Sequence, residues 1–151
     1  MGTPEIDLFE AIELFAKMNL DGIEIVVQEG YKCGFSPNAD KQEILNIRDA
    51  VEKANLKVVC LTPYFSLFNS LDDKVRQQEI EGIKKLIGHA ELLNAQYIRI
   101  YGGQFRADES DPGQEKRRRL VDSMRTLGDH ALKANVILAI ENHFNTMTVT
   151  A

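Results

Sequence analysis

A carboxylate, an amide and an imidazole stand side by side at the end of an apolar segment. No polar residue interrupts the segment 136–140, and Glu141, Asn142 and His143 follow it directly. Carboxylate oxygens and imidazole nitrogens are natural ligands for divalent metal ions. Glu141 is therefore a candidate metal ligand. The alternative is that Glu141 merely ends a strand in solvent, and its position alone favours neither interpretation.

Two further charges interrupt apolar segments. Glu24 and Arg99 each stand between two isoleucines. Because side chains alternate along a strand, both charges are expected on the face opposite the isoleucines, the inner face of a curved sheet. An unpaired buried charge is very costly. We therefore predict an ion pair between Glu24 and Arg99, with contact between Arg99 and a substrate as the alternative.

Four asparagines show how the chain positions these residues. Each one ends an amphipathic segment and precedes a short apolar one, and the intervals between them are 36, 39 and 41 residues. Asparagine tolerates the left-handed conformation that closes a helix. Repetition at this period predicts consecutive βα units, and hence a parallel sheet covered by helices. The four are Asn19, Asn55, Asn94 and Asn135.

The apolar segments after these asparagines predict four strands. They are expected at about Gly22–Val27, Val58–Thr62, Tyr97–Tyr101 and Val136–Glu141. In parallel α/β folds, ligands bind at the carboxyl ends of the strands. This rule places the Glu141 cluster at the edge of the sheet where chemistry is expected.

Polar residues before the amphipathic segments predict where helices begin. Thr3 followed by Pro4 is typical of a first helical turn. Ser70 and Asp73 resemble a capping box for the third helix. Asp111 followed by Pro112 predicts the start of the fourth helix.

Charge and hydropathy disfavour a nucleic-acid partner and a membrane location. The net charge of -5 disfavours a nucleic-acid partner, and the basic cluster 116–119 is interpreted as a solvated helix face rather than a phosphate contact. No apolar run is long enough to cross a membrane, and no signal peptide is evident, so a cytoplasmic location is predicted.

His89 and His130 lie in the C-terminal halves of helices, where a surface interaction with the helix dipole is expected.

Three segments resemble the xylose-isomerase-like TIM-barrel superfamily, and within it the sugar phosphate isomerase/epimerase branch. They are DGIEI at 21–25, VRQQEIEGIKKLIGHAELLNAQYIRIYGG at 75–103 and LAIENH at 138–143. The resemblance implies an α/β fold, a partial (β/α)8 TIM barrel with four parallel strands alternating with helices. Residues 1–151 would then form an incomplete domain, the N-terminal half with about the second to fifth barrel strands.

The resemblance also implies a chemistry. Family members hold one divalent metal ion, commonly manganese, magnesium or cobalt, with Glu, Asp, His and Glu from the fifth to eighth strands. Glu141 matches the first ligand, which can also transfer a proton next to a carbonyl through an enediolate. Asn142 and His143 match common family positions and are predicted, like Arg99, to contact the substrate. The substrate would be a small sugar or sugar phosphate.

The other three ligands are missing, so we expect this chain to be inactive alone. The divalent metal ion is then expected in the complete family domain and not in this chain. The alternative function is a non-catalytic half-barrel that binds a partner or oligomerises. Open edges at Gly22–Val27 and Val136–Glu141, with a concave apolar face between them, predict a homo-oligomer or a complementary half-barrel. The related apurinic endonucleases carry histidines after the third and fourth barrel strands, where this chain has Thr62-Pro63 and Tyr101-Gly102, so DNA repair is disfavoured.

Overall fold

A computed structural model describes residues 3–105 and 113–148 of the chain. These residues form four helices and one parallel sheet of five strands in the order β2-β1-β3-β4-β5. Helices and strands alternate along the chain except that β2 follows β1 directly. The elements in chain order are α1 Leu8–Lys17, β1 Gly22–Val27, β2 Gly34–Phe35, α2 Lys41–Lys53, β3 Lys57–Pro63, α3 Asp73–Leu92, β4 Tyr97–Tyr101, α4 Gly113–Lys133 and β5 Ile137–Glu141. The predicted α/β class and the four predicted strands are confirmed.

The asparagine stops are confirmed at all four positions. Asn19, Asn55, Asn94 and Asn135 have φ values of 56°, 58°, 54° and 55°. Around Asn19, the amide of Asn19 donates to the carbonyl of Ala16 and that of Leu20 donates to Phe15. This pair of bonds is the Schellman motif, and it satisfies carbonyls that the end of a helix leaves without partners.

The predicted starts of two helices were wrong. Helix α1 begins at Leu8 and is capped by Asp7, whose carboxylate accepts from the amide of Phe9 at 2.8 Å. The Glu10 carboxylate accepts from the Asp7 amide in return, so this capping box displaces the helix start from Thr3. Helix α3 is capped by Asp72 rather than Ser70. The Asp111–Pro112 prediction lies outside the described residues.

One strand was not predicted. The segment after β1 contains the two-residue strand β2, which pairs in parallel with Val26 and Val27 of β1. The edge of β1 is therefore partly covered, whereas β5 is the outer strand on the other side of the described sheet. The prediction of an open edge at Gly22–Val27 was wrong at Val26 and Val27, which β2 covers.

The core lies between the sheet and the helices. Its members include five residues with fully buried side chains: Ile25, Leu61, Ile83, Ile98 and Leu127. Side chains that alternate with these core residues line the opposite, concave face of the sheet. Within the described part of the chain, no helix is both long enough and apolar enough to span a membrane.

His89 is buried, contrary to the prediction of a surface position. Its side chain is 6% exposed, and its ring lies 6.0 Å from that of Phe35. Nδ1 is buried without a hydrogen-bond partner among the described residues. Burial, with a smaller contribution from the Lys85 charge, lowers the pKa of His89 from its usual 6.5.

This depressed pKa predicts a loss of stability in acid. The unfolded chain binds the proton more readily than the folded chain, so the contribution of His89 is complete above about pH 6.5 and declines as the pH falls below it. Urea unfolding at pH 7.5 and 5.5 should show a larger acid loss for the wild type than for His89→Leu. His130→Gln, at an exposed helical position, should behave as the wild type. Equal pH dependence in wild type and His89→Leu would contradict this assignment.

Candidate active site

A cavity of 660 Å³ opens on the concave face of the sheet. The strands position its lining because every second side chain points to this face. Its polar and aromatic lining includes Glu24, Cys60, Tyr64, Tyr97, Arg99 and Glu141. The prediction that Glu24 and Arg99 lie on the inner face is confirmed, and Glu141, whose orientation the sequence left open, lies there with them. This face is mixed rather than apolar.

Arg99 and Glu141 form an ion pair at the carboxyl ends of β4 and β5. Arg99 Nε lies 3.2 Å from Glu141 Oε2. In the register of these strands, Arg99 is opposite Ala139 and Tyr101 is opposite Glu141. The two charged side chains are thus diagonal neighbours on one face, within reach of each other.

The predicted ion pair between Glu24 and Arg99 is absent from the ion pairs of residues 3–105 and 113–148, and Arg99 pairs with Glu141 instead. The register explains this difference. A bulge at Ile23/Glu24 places Glu24 opposite Cys60, which is in turn opposite Tyr97 on β4. Glu24 therefore lies one inward-facing level below Arg99. It is also exposed in the structure, so it does not require the partner that a buried charge would need.

Two tyrosines hold the guanidinium of Arg99. Its Cζ lies 4.2 Å from the ring centroid of Tyr101 and 5.5 Å from that of Tyr64. The Tyr64 ring also stacks on Tyr31, with centroids 5.9 Å apart. Cation–π contact of this kind fixes the plane of an arginine. Tyr64 and Tyr101 stand at the carboxyl ends of β3 and β4, where ligands are expected, but sequence reasoning assigned neither tyrosine a role in the site.

The phenol of Tyr64 and the thiol of Cys60 remain protonated near neutral pH. Partial burial is the main cause that raises the pKa of Tyr64. Burial likewise raises the pKa of Cys60, although a hydrogen bond from the Arg99 backbone opposes the shift. Tyr64 can therefore donate a hydrogen bond to a ligand, whereas Cys60 is a poor nucleophile.

Asn142 and His143 are exposed beyond the end of β5. The ring of His143 contacts that of Tyr101 edge-on, with centroids 5.0 Å apart. Its Nδ1 lies 3.1 Å from the carbonyl oxygen of Phe144. The structure thus brings His143 to Tyr101, which contacts Arg99. Asn142 and His143 themselves do not line the cavity. Their contact with substrate stays a prediction.

Asn69 joins the loops that surround the site. Its side chain is buried, donates to the carbonyl of Gln104 at 2.7 Å and accepts from the Gln104 amide at 2.9 Å. It also lies 3.1 Å from the sulfur of Met147, beyond β5. Gly103 makes this approach possible, since its φ is 72° and a Cβ there would lie 2.8 Å from Asn69 Cγ.

Replacing Asn69 with alanine should lower the free energy of unfolding by about 2–3 kcal/mol. The change leaves the amide and carbonyl of the half-buried Gln104 without these partners, and each unsatisfied buried group costs roughly 1–3 kcal/mol. Urea denaturation measures the loss. Asn46→Ala, at an exposed helical position, is the matched control and should change stability by less than about 0.5 kcal/mol. A similar small effect for Asn69→Ala would show that the loops do not depend on this side chain.

The described residues do not by themselves fit a metal site. They contain no group of three or more His, Cys, Asp or Glu side chains placed to hold an ion. Glu141 is the one carboxylate at the carboxyl edge of β4 and β5 among the residues that line the cavity, and a positive side chain already contacts it. A metal ion at Glu141 would need ligands beyond this set.

The profile of one protein family, described as "Xylose isomerase-like TIM barrel", matches residues 12–150. The chain belongs to this family. Among its curated relatives is the L-ribulose-5-phosphate 3-epimerase UlaE of Escherichia coli, which is 28% identical over 136 residues. That match covers 87% of this chain and 47% of the relative.

Solved structures of other proteins share the fold. D-psicose 3-epimerase from Clostridium cellulolyticum H10, solved with D-tagatose, has a TM-score of 0.77 at 18% identity and matches 95% of this chain and 50% of its own. The IOLI protein with a bound zinc atom has a TM-score of 0.77 at 20% identity, over 96% of this chain and 50% of its own. This chain thus spans about half the length of the relatives it matches.

Proposed function

We propose that this chain carries the proton-transferring carboxylate of a sugar or sugar-phosphate isomerase/epimerase, and that this carboxylate is Glu141. The observation that supports the proposal most strongly is the Arg99–Glu141 pair, which combines a base and a fixed cation at the carboxyl edge of the sheet. The curated relative UlaE is an epimerase of L-ribulose 5-phosphate, which agrees with this chemistry.

The pair is suited to proton abstraction next to a carbonyl. Glu141 takes the proton from the carbon beside the carbonyl, and the electron pair of the C–H bond forms the double bond of an enediolate. The negative charge then leaves the carboxylate and develops on the former carbonyl oxygen. Arg99, released from the neutralised Glu141, pairs with that oxygen. Tyr64 donates a hydrogen bond to a sugar hydroxyl.

Epimerisation needs more than this first step, because the proton must return to the opposite face of the carbon. The resemblance to metal-dependent isomerases assigns Glu141 as a ligand of manganese, magnesium or cobalt, and such an ion would stabilise the enediolate. We propose that the complete family domain supplies the further ligands and the second proton donor. The chain alone is then expected to catalyse the first step, without net epimerisation.

Deuterium exchange tests the proposal without requiring a full turnover. The purified chain is incubated in D₂O with D-tagatose, D-fructose or L-ribulose 5-phosphate, with and without MnCl₂. Proton NMR then follows the hydrogen on the carbon next to the carbonyl. Loss of this signal faster than in a protein-free sample supports the proposal. No exchange above background for any of the three sugars would contradict it.

A second candidate function is a non-catalytic half-barrel that self-associates or binds a complementary half. The exposed apolar side chains near β5 favour it: Leu132, Ile140 and Phe144 are 79%, 52% and 84% exposed. Patches of this kind mark interaction surfaces. Light scattering across a concentration series would show the assembly. A monomer at all concentrations would argue against self-association, and assembly without deuterium exchange would favour this second function.

A further inference from the structure

The two side chains of the Arg99–Glu141 pair are not held equally firmly. The Arg99 side chain is 17% exposed, whereas that of Glu141 is 45% exposed. Arg99 is in addition held by the rings of Tyr64 and Tyr101. The cation is therefore the fixed member of the pair, and the carboxylate is the member that can turn toward another ligand.

The position of this cation conflicts with simple metal binding at Glu141. A guanidinium cannot lose its proton at any ordinary pH, so it cannot relieve repulsion by becoming neutral. A divalent ion bound to the same carboxylate would lie a few ångströms from this charge. At such distances, repulsion between cations is substantial even near a protein surface.

The surrounding residues do little to offset this repulsion. Among the cavity-lining residues that the structure describes, Glu24 is the other carboxylate, and the strand register places it one inward-facing level away. Arg99 Nη1 is buried without a hydrogen-bond partner in the described part of the chain. The cation thus has spare donors, while no cavity-lining residue that the structure describes places a second carboxylate beside Glu141 at the same level.

We propose that Arg99 is the built-in cation of this site and competes with a divalent metal ion for Glu141. In the chain as it stands, Arg99 keeps the carboxylate in place and weakens metal binding. The inference rests on the proposed function for the identity of the site, but it concerns metal affinity and does not require catalysis.

The test is Mn²⁺ affinity, measured by electron paramagnetic resonance on the full 151-residue chain without any sugar. Arg99→Met should bind Mn²⁺ about tenfold more tightly than the wild type, because a positive charge next to the ion is removed. Arg99→Lys, which keeps the charge, should remain within about threefold of the wild type. The gain should disappear in the double variant Arg99→Met/Glu141→Gln.

Arg48→Met is the matched control, since Arg48 pairs with Asp49 on α2, and its Mn²⁺ affinity should equal that of the wild type. Circular dichroism of each variant establishes that it is folded, and Arg99→Gln replaces Arg99→Met if the latter is not. Equal or weaker binding by the charge-removing variant would overturn the proposal, as would tight binding by the wild type that depends on Glu141. Neither of these metal-binding results would contradict the proposed function, which deuterium exchange tests separately.

Discussion

Replacing Glu141 with glutamine is expected to slow deuterium incorporation into the sugar by about 10²–10⁴-fold, the usual contribution of a positioned acid or base. Glutamine has nearly the same shape but cannot accept a proton from carbon. It also removes the negative partner of Arg99 Nε, which lies 3.2 Å from the carboxylate. Proton NMR in D₂O at saturating D-tagatose measures the rate.

The matched control for this substitution is Glu91→Gln. Glu91 is an exposed carboxylate on α3, so its replacement should leave the exchange rate unchanged. Circular dichroism and urea unfolding should show that both variants retain the wild-type fold. Deuterium exchange by Glu141→Gln at the wild-type rate would show that Glu141 is not the group that accepts the proton.

Replacing Phe68 with alanine is expected to lower the free energy of unfolding by about 3–5 kcal/mol, the range for a fully buried phenylalanine. Phe68 lies in the loop between β3 and α3, yet its side chain is 0% exposed. Its carbonyl also accepts a hydrogen bond from Ser123 Oγ at 2.7 Å, which ties the loop to α4. The cavity left by the ring would loosen the segment that follows Tyr64.

Urea denaturation measures the effect of Phe68→Ala. Phe144→Ala is the matched control, because this ring is 84% exposed and its removal should cost less than about 0.5 kcal/mol. A loss below about 1 kcal/mol for Phe68→Ala would mean that the loop folds without this anchor. Tyr64 would then need another source of support.

The ends of the helices could be predicted from the sequence because their signal is local. An asparagine at a left-handed position depends mainly on its own backbone and on the turn before it. Asn94 illustrates this, since its amide bonds to Glu91 and that of Ala95 bonds to Ala90. Repetition of the same local stop gave the number of βα units.

The starts of the helices were harder to predict because several polar residues compete for each cap. Ser70 and Asp72 both can accept an amide hydrogen, and the structure uses both: Ser70 Oγ accepts from Asp72, and Asp72 accepts from Lys74. The choice of the cap depends on where the preceding loop is anchored. Here the buried Phe68 fixes that loop, and sequence periodicity does not report the contact.

The candidate site was predicted in its location but not in its pairing. Alternation along the strands placed Glu24 and Arg99 on the inner face, and the rule for strand ends placed Glu141 at the carboxyl edge. The partner of Arg99 depended on the strand register, which a bulge beside Glu24 alters. The role of the two tyrosines could not be predicted from the sequence, because Tyr64 reaches Arg99 from the residue after β3 and Tyr101 reaches it from β4.

The most direct test of the central claim is to map sugar binding on the chain by NMR. Amide spectra of ¹⁵N-labelled protein are recorded during titration with D-tagatose, and with D-glucitol as a polyol that lacks a carbonyl. The account predicts shifts by D-tagatose that cluster around Tyr64, Tyr101 and Glu141, with smaller shifts for D-glucitol. Shifts confined to the exposed face of α4 and β5, or none at saturating sugar, would contradict the claim that this edge of the sheet is a sugar site.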